Sequence, residues 1–195
     1  MLTFLKGLWW RSRIDGSERL KLAGSHTQVL EPRWSPDGKS VAISYRDWLE
    51  KAPLGVNIVE LGSHRVHRLA GSENLWLAQW SPTGRYIAAR TLDSRAIMLF
   101  DSEVQRWNEL ARSDVGTFEW SKDGRYVYIK RLGNDAALLH VSLETRKVEE
   151  VVSLRNVKYT GFEGGHWFGI TPDHSPLLLR DTGTQEIYAL DWQAP

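Results

Sequence analysis

Trp34-Ser35-Pro36-Asp37-Gly38-Lys39 returns as Trp80-Ser81-Pro82-Thr83-Gly84-Arg85 and as Trp120-Ser121-Lys122-Asp123-Gly124-Arg125, and an eroded copy stands at Ile170-Thr171-Pro172-Asp173-His174. From one Trp-equivalent to the next the steps are 46, 40 and 50 residues. Four copies at this spacing make a repeat protein, and a period of roughly 40–50 residues belongs to β-propeller blades rather than to helical solenoids. The motif has a direct physical reading. Proline presets φ for the second position of a type I turn, Asp suits the third, and Gly supplies the left-handed residue that follows, giving a tight hairpin with a one-residue bulge.

Working outward, each bend leads into a short apolar run: Val41-Ala42-Ile43-Ser44, Tyr86-Ile87-Ala88-Ala89, Tyr126-Val127-Tyr128-Ile129 and Leu177-Leu178-Leu179. Such runs suit strands of sheets buried on both faces. The Trp that closes the preceding strand is expected to pack between neighbouring sheets. Burying one such ring removes roughly 150–250 Å² from water, on the order of 4–6 kcal/mol before conformational entropy is set against it.

The remaining strands follow from turn signals. Leu8 to Arg13 and Arg19 to Ala23 flank the turn Asp15-Gly16-Ser17 and form a partial blade over 8–23. Whole four-strand blades are expected over 29–70, 75–111 and 115–153, and a partial one over 167–192, ending in a strand from Gln185 to Leu190. The reading is one all-β domain over 1–195, a propeller segment with three complete and two partial blades. An all-β chain of this length is commonly a single unit.

Composition narrows the function classes. Lys plus Arg number 25 against 24 for Asp plus Glu, a net charge of +1, so there is no basic field for nucleic acid. Ten Trp and no Cys describe a rigid aromatic structure without disulfides, thiolate metal sites or cysteine nucleophiles. The amino end, Met1 to Trp10, is interrupted by Lys6 and lacks the features of a secretory leader, and no run reaches the roughly 20 apolar residues of a membrane span. The expectation is a chain without leader or anchor and without membrane insertion, its compartment open.

Three stretches, Leu8 to Ser17, Pro32 to Lys39 and Ser44-Tyr45-Arg46-Asp47, resemble the WD-like propeller repeats of the TolB type. The resemblance covers nearly the whole chain, down to Glu186-Ile187-Tyr188-Ala189-Leu190-Asp191 as a last third strand. It implies a wheel of six or more blades, of which this sequence is the carboxyl-terminal part, and it leaves a periplasmic setting open. The closing stretch, Ser175 to Trp192, is also similar to the end of large bacterial proteins in which such a propeller follows a winged-helix regulator or a protein kinase domain. Three departures, Thr83 for Asp, Lys122 for Pro and His174 for Gly, predict weaker or differently shaped bends.

Candidate chemistry is sparse. His64 and His67 are three apart, so in a strand they point to opposite faces and do not share a metal. The loop Gly161 to His166 leads to a strand, whereas phosphate loops open onto a helix. Asp37, Asp123 and Asp173 recur once per blade, yet Thr83 breaks any ring of carboxylates, and each Asp suits a bond within its own turn. Ser35, Ser81 and Ser121 are turn residues outside any Gly-x-Ser-x-Gly elbow. No catalytic, cofactor or metal set is expected. The structural repeat set is Trp34, Pro36, Asp37, Gly38, Trp80, Pro82, Gly84, Trp120, Asp123, Gly124, Pro172 and Asp173. Arg33, Gln79 and Glu119 alternate with the motif Trp, so they either line the mouth or channel or are simply solvated.

Two functions are compatible with this. The first is a non-enzymatic module for protein interaction or ligand sensing at the propeller face, with self-association through open blade edges. The second is the substrate-gating propeller of a prolyl-oligopeptidase-like serine peptidase whose hydrolase domain lies elsewhere.

Overall fold

The computed structural model describes residues 2–5, 8–15, 17–21, 27–47, 53–157, 168–179 and 182–183. All regular structure among them is β. A three-stranded sheet comprises β1 (Leu2–Leu5), β2 (Leu8–Arg11) and β3 (Leu20–Lys21). The next is four-stranded, β4 (Thr27–Trp34), β5 (Ser40–Asp47), β6 (Gly55–Glu60) and β7 (Val66–Arg68). Two more of four follow: β8 (Leu75–Trp80), β9 (Tyr86–Thr91), β10 (Ala96–Asp101) and β11 (Arg106–Arg112), then β12 (Val115–Trp120), β13 (Tyr126–Arg131), β14 (Ala137–Ser142) and β15 (Val148–Ser153). A two-stranded sheet, β16 (Phe168–Ile170) and β17 (Pro176–Leu178), closes the series. Every pairing is antiparallel between consecutive strands, the up-and-down order of propeller blades. Three whole and two partial blades are the expected fold class. The loop Gly161 to His166, Trp167 and the strand Gln185 to Leu190 lie outside the described residues.

Each bend is fixed by one hydroxyl and one left-handed residue. The Ser35 hydroxyl donates to Asp37 Oδ1 at 2.6 Å and accepts the Ser40 N–H at 2.9 Å, while Asp37 also accepts the Lys39 N–H at 3.0 Å. Ser121 and Asp123 repeat this at 2.7 and 3.0 Å with Arg125, and Gly38, Gly84 and Gly124 have φ of 69°, 78° and 72°. The departures therefore do not reshape the second and third bends. In the second, the Thr83 hydroxyl pairs with the Ser81 hydroxyl at 3.1 Å in place of the carboxylate. In the third, Lys122 stands in place of proline and the bend keeps its hydroxyl and carboxylate bonds. Only the fourth differs: Thr171 replaces Ser, the hydroxyl accepts the N–H of Ser175 four residues on instead of five, and His174 takes the left-handed position at φ 67°.

Adjacent sheets pack face to face. Ala42, Val56 and Ile58 meet Ala78, Ile87, Ala89 and Phe100. Leu77, Ala88, Ile97 and Leu99 meet Phe118, Val127, Ile129 and Val141, and Tyr128 and Leu138 meet Phe168. On the other side, Leu2 packs on Val41, Ile43 and Val59. The bends stack as well: a Cβ on Gly84 would stand 3.9 Å from Pro36, and one on Gly124 3.5 Å from Pro82. Burial on both faces holds for β5, β9 and β13 but not for the last apolar run, where Leu177 and Leu179 are exposed while Leu178 packs on the cluster of Tyr128, Leu138 and Phe168.

One expectation about the amino end is corrected. Leu2–Leu5 is a strand, β1, paired with β2, so the first partial blade begins before Leu8. The hairpin expected between Leu8 and Ala23 is present where Leu20 and Lys21 pair with Arg11 and Trp10. Backbone pairing supplies the signal here, while the apolar run itself is too short to announce it.

Candidate interaction surface at the inner strands

β4, β8 and β12 each start a four-stranded sheet and form its inner edge. All three carry a register shift, between Leu30 and Arg33, Trp76 and Gln79, and Val115 and Thr117. At the first two, non-glycine residues adopt left-handed backbone, Glu31 at φ 38° and Leu77 at φ 54°. A bulge re-aims the side chains after it, and such strained positions recur at working surfaces. Arg33 and Gln79 stand immediately after the first two irregularities, and Glu119 two residues beyond Thr117 in the third strand.

The structure brings these three together. Gln79, only 7% exposed, donates from Nε2 to the Phe118 carbonyl at 2.9 Å, and the Trp120 indole N–H returns a bond to the Gln79 carbonyl at 3.2 Å. Burial raises the Glu119 carboxyl above its ordinary range, opposed by the nearby Arg33 guanidinium and a hydrogen bond from Gln79, and reinforced by Glu31. Arg33 is exposed and reaches Glu31 at 3.6 Å. Glu31 is the member that sequence reading missed. Its signal was the polar side chain three residues before the motif Trp, on the same bulged strand.

Two further buried polar groups belong to the second strands. Arg90 lies over the Trp76 ring at 4.2 Å and donates from Nη1 to the Val115 carbonyl at 3.0 Å and to that of Gly116. Burial pushes its guanidinium down. Lys130, at the equivalent position of β13, is fully buried, and desolvation pushes its ammonium down to about 8.

The other sequence candidates stay apart from this surface. Asp37, Asp123 and Asp173 each bond a hydroxyl within their own bend. Desolvation pushes Asp123 up, but the Arg125 N–H, the Ser121 hydroxyl and the Arg125 guanidinium outweigh it and hold the carboxyl well below its usual range. His64 occupies a turn at φ 59°, and His67 stands 3.7 Å from Glu60. Among the described residues no group of three or more His, Cys, Asp or Glu is placed to hold a metal ion, and no helix is long and apolar enough to cross a membrane. Two open clefts, of about 580 Å³ beside Asn74 and Leu92 and about 540 Å³ beside Lys39 and Leu61, are lined without Arg33, Gln79 or Glu119.

No family model matches the sequence. A stretch of 37 residues is 54% identical to the Tol-Pal system protein TolB of Syntrophus aciditrophicus, covering 18% of this chain and 8% of that protein. The crystal structure of TolB from Acinetobacter baumannii superposes with a TM-score of 0.68 at 14% identity, over 91% of this chain and 44% of that one. The tricorn protease superposes with a TM-score of 0.65 at 15% identity, over 89% of this chain and 17% of that one. The chain thus spans less than half the length of the TolB structure it matches. Repeat motif, strand order and superposition agree on the fold: the chain is a partial β-propeller, similar in fold to TolB.

Proposed function

We propose that the chain is a non-enzymatic propeller module that binds a protein partner across the mouth formed by β4, β8 and β12. The observation that carries this is the meeting of Glu31, Arg33, Gln79 and Glu119 from three successive blades behind backbone bulges, with Glu119 desolvated and Arg33 left exposed beside it. A carboxyl held above its ordinary range next to an exposed guanidinium suits a partner bringing paired charge and hydrogen-bond donors, because both groups gain from a desolvated complement. Hydrolysis of peptide, ester or phosphate is not expected of this surface, where no nucleophile stands beside a base.

A second reading keeps the surface and changes the setting. The superposition with the tricorn protease favours a propeller that admits substrates to a hydrolase domain elsewhere, as in prolyl-oligopeptidase-like peptidases. In that case the mouth passes unfolded peptides instead of holding one.

Peptides selected from a displayed random library on the immobilised chain test the proposal. Binders are expected to lose most of their affinity for Arg33→Glu and to respond to Glu119→Gln. Binders indifferent to both substitutions would remove the mouth as the site, and peptides held only weakly, with no sequence preference, would favour the gating reading.

A further inference from the structure

One position recurs in the three inner strands, directly before the motif Trp, and three different chemistries fill it: the Arg33 guanidinium, the Gln79 amide and the Glu119 carboxyl. Arg33 is exposed, and its ion pair, at 3.6 Å, is with Glu31 of its own strand. Glu119 is half-buried. Gln79 is buried and grips three consecutive residues of β12: its Nε2 donates to the Phe118 carbonyl at 2.9 Å and its amide to the Glu119 carboxyl, while its own backbone carbonyl accepts the Trp120 indole N–H at 3.2 Å.

A side-chain amide carries two N–H donors on one nitrogen. With one of them tied to a buried backbone carbonyl, the group cannot rotate without leaving that acceptor unpaired, so the direction of the other is set. The second N–H therefore fixes where the Glu119 carboxyl points. Because this donor is neutral, it orients the carboxylate without cancelling its charge, which a Lys or Arg in the same place would do. The groups that face Glu119 are Arg33 and Glu31 from β4, Gln79 from β8 and Tyr128, its register partner on β13. Arg33 acts on it by charge through space, Glu31 acts against that, and only the Gln79 amide bonds it among the described residues.

Building on the reading of β4, β8 and β12 as a partner-binding mouth, we propose that Gln79 is its positioning residue: the neutral amide holds Glu119 as an aimed, uncancelled carboxylate, and the partner group seated there is a guanidinium or ammonium. A half-buried carboxylate gains most from a donor that brings the opposite charge, since both ions then replace lost water with a charge-assisted hydrogen bond. The same amide closes the joint between the second and third of these strands through Phe118. Seating a cation on Glu119 is therefore felt at Gln79 and, through it, at the joint.

Gln79→Met keeps the length of the side chain and removes both N–H donors. The Glu119 carboxyl carbon resonance, identified by its loss in Glu119→Gln, is followed against pH in parent and variant with no peptide present, and its midpoint is expected to lie at higher pH in Gln79→Met. Library peptides that lose affinity for Arg33→Glu are then measured. They are expected to carry an Arg or Lys whose neutral replacement weakens binding roughly tenfold to the parent and little to Glu119→Gln, a coupling between the two charges. Gln79→Met is expected to weaken them more at low pH than at high pH, whereas a merely structural role would weaken them equally at both. If Gln79→Met does not fold, the parent decides: its Gln79 side-chain N–H resonances must shift with the Glu119 midpoint and lose that dependence in Glu119→Gln. An unchanged Glu119 midpoint in folded Gln79→Met, Gln79 resonances indifferent to the Glu119 titration, or mouth-binding peptides without a cation coupled to Glu119 overturn the proposal. The titration needs no peptide, so its failure is distinct from failure of the mouth itself, which shows as binders indifferent to both Arg33→Glu and Glu119→Gln.

Discussion

At Gly38 the backbone sits at φ 69° and an added Cβ would meet nothing within 4 Å among the described residues, so its substitution isolates conformational strain from packing. Gly38→Val is expected to cost about 1–3 kcal/mol, because a β-branched residue resists left-handed backbone, while the neighbouring Lys39→Ala stays within about 0.5 kcal/mol. Thermal melts of the two variants check this, and equal midpoints would refute the strain. Lys130 gives a pH signature. Its ammonium loses the proton near 8 in the fold and near 10.5 in the unfolded chain, so between those values the unfolded state binds more protons and stability rises with pH. Lys130→Met is expected to flatten that rise in urea titrations at pH 7.5 to 10.5. Glu119 has the opposite slope. Its raised carboxyl keeps a proton that the unfolded chain has released, so stability falls as pH climbs from 4.5 through the folded value. Glu119→Gln should melt higher than the parent at pH 7 and coincide with it below about pH 4, where both side chains are neutral. The turn residues were legible because a Gly, an Asp and a hydroxyl at fixed spacing have few alternatives. Lys130 and Arg90 were not, since a cation in an apolar run reads as an exposed residue until the next sheet covers it.

Between sheets, Arg90 is a second polar anchor beside Gln79, reaching from β9 to the carbonyls of Val115 and Gly116 on β12 while lying on Trp76. Removing it leaves those acceptors buried without their charged donor. Arg90→Ala is expected to cost on the order of 1.5–3 kcal/mol, and Arg90→Lys to recover little, because an ammonium lacks the planar fork that both bonds and stacks. Guanidinium denaturation of the two variants is the measurement, and full recovery by Lys would assign Arg90 a purely electrostatic role. Strand identity was largely readable at this scale from alternation and bends. β1 was not, because Leu2–Leu5 is four residues long and becomes a strand through its pairing with β2 and the packing of Leu2 on Val41. The bulges in β4 and β8 were equally silent, as Glu31 and Leu77 are ordinary residues whose left-handed backbone follows from the register of their neighbours.

For the molecule as a whole, β1 has an edge that no strand pairs with among the described residues, and Leu177 on β17 and Leu179 just after it are exposed, presenting strand and apolar surface at the two ends of the series. Such surfaces favour association. The purified chain is expected to show a solution mass that grows with concentration and to bind a hydrophobic dye. A monomer that melts cooperatively and binds no dye would argue against this. Architecture could be read from the sequence because repetition states the same turn four times, whereas the mouth could be read only in part: Arg33, Gln79 and Glu119 were visible as polar neighbours of Trp, but their meeting depends on how far one blade turns from the next. At the bends the contact is a glycine α-carbon: an added Cβ would stand 3.9 Å from Pro36 at Gly84, and 3.5 Å from Pro82 and 3.6 Å from Thr83 at Gly124. A side chain at either glycine would therefore strain its own left-handed backbone and press on the neighbouring bend at once, so one substitution there is felt in two blades.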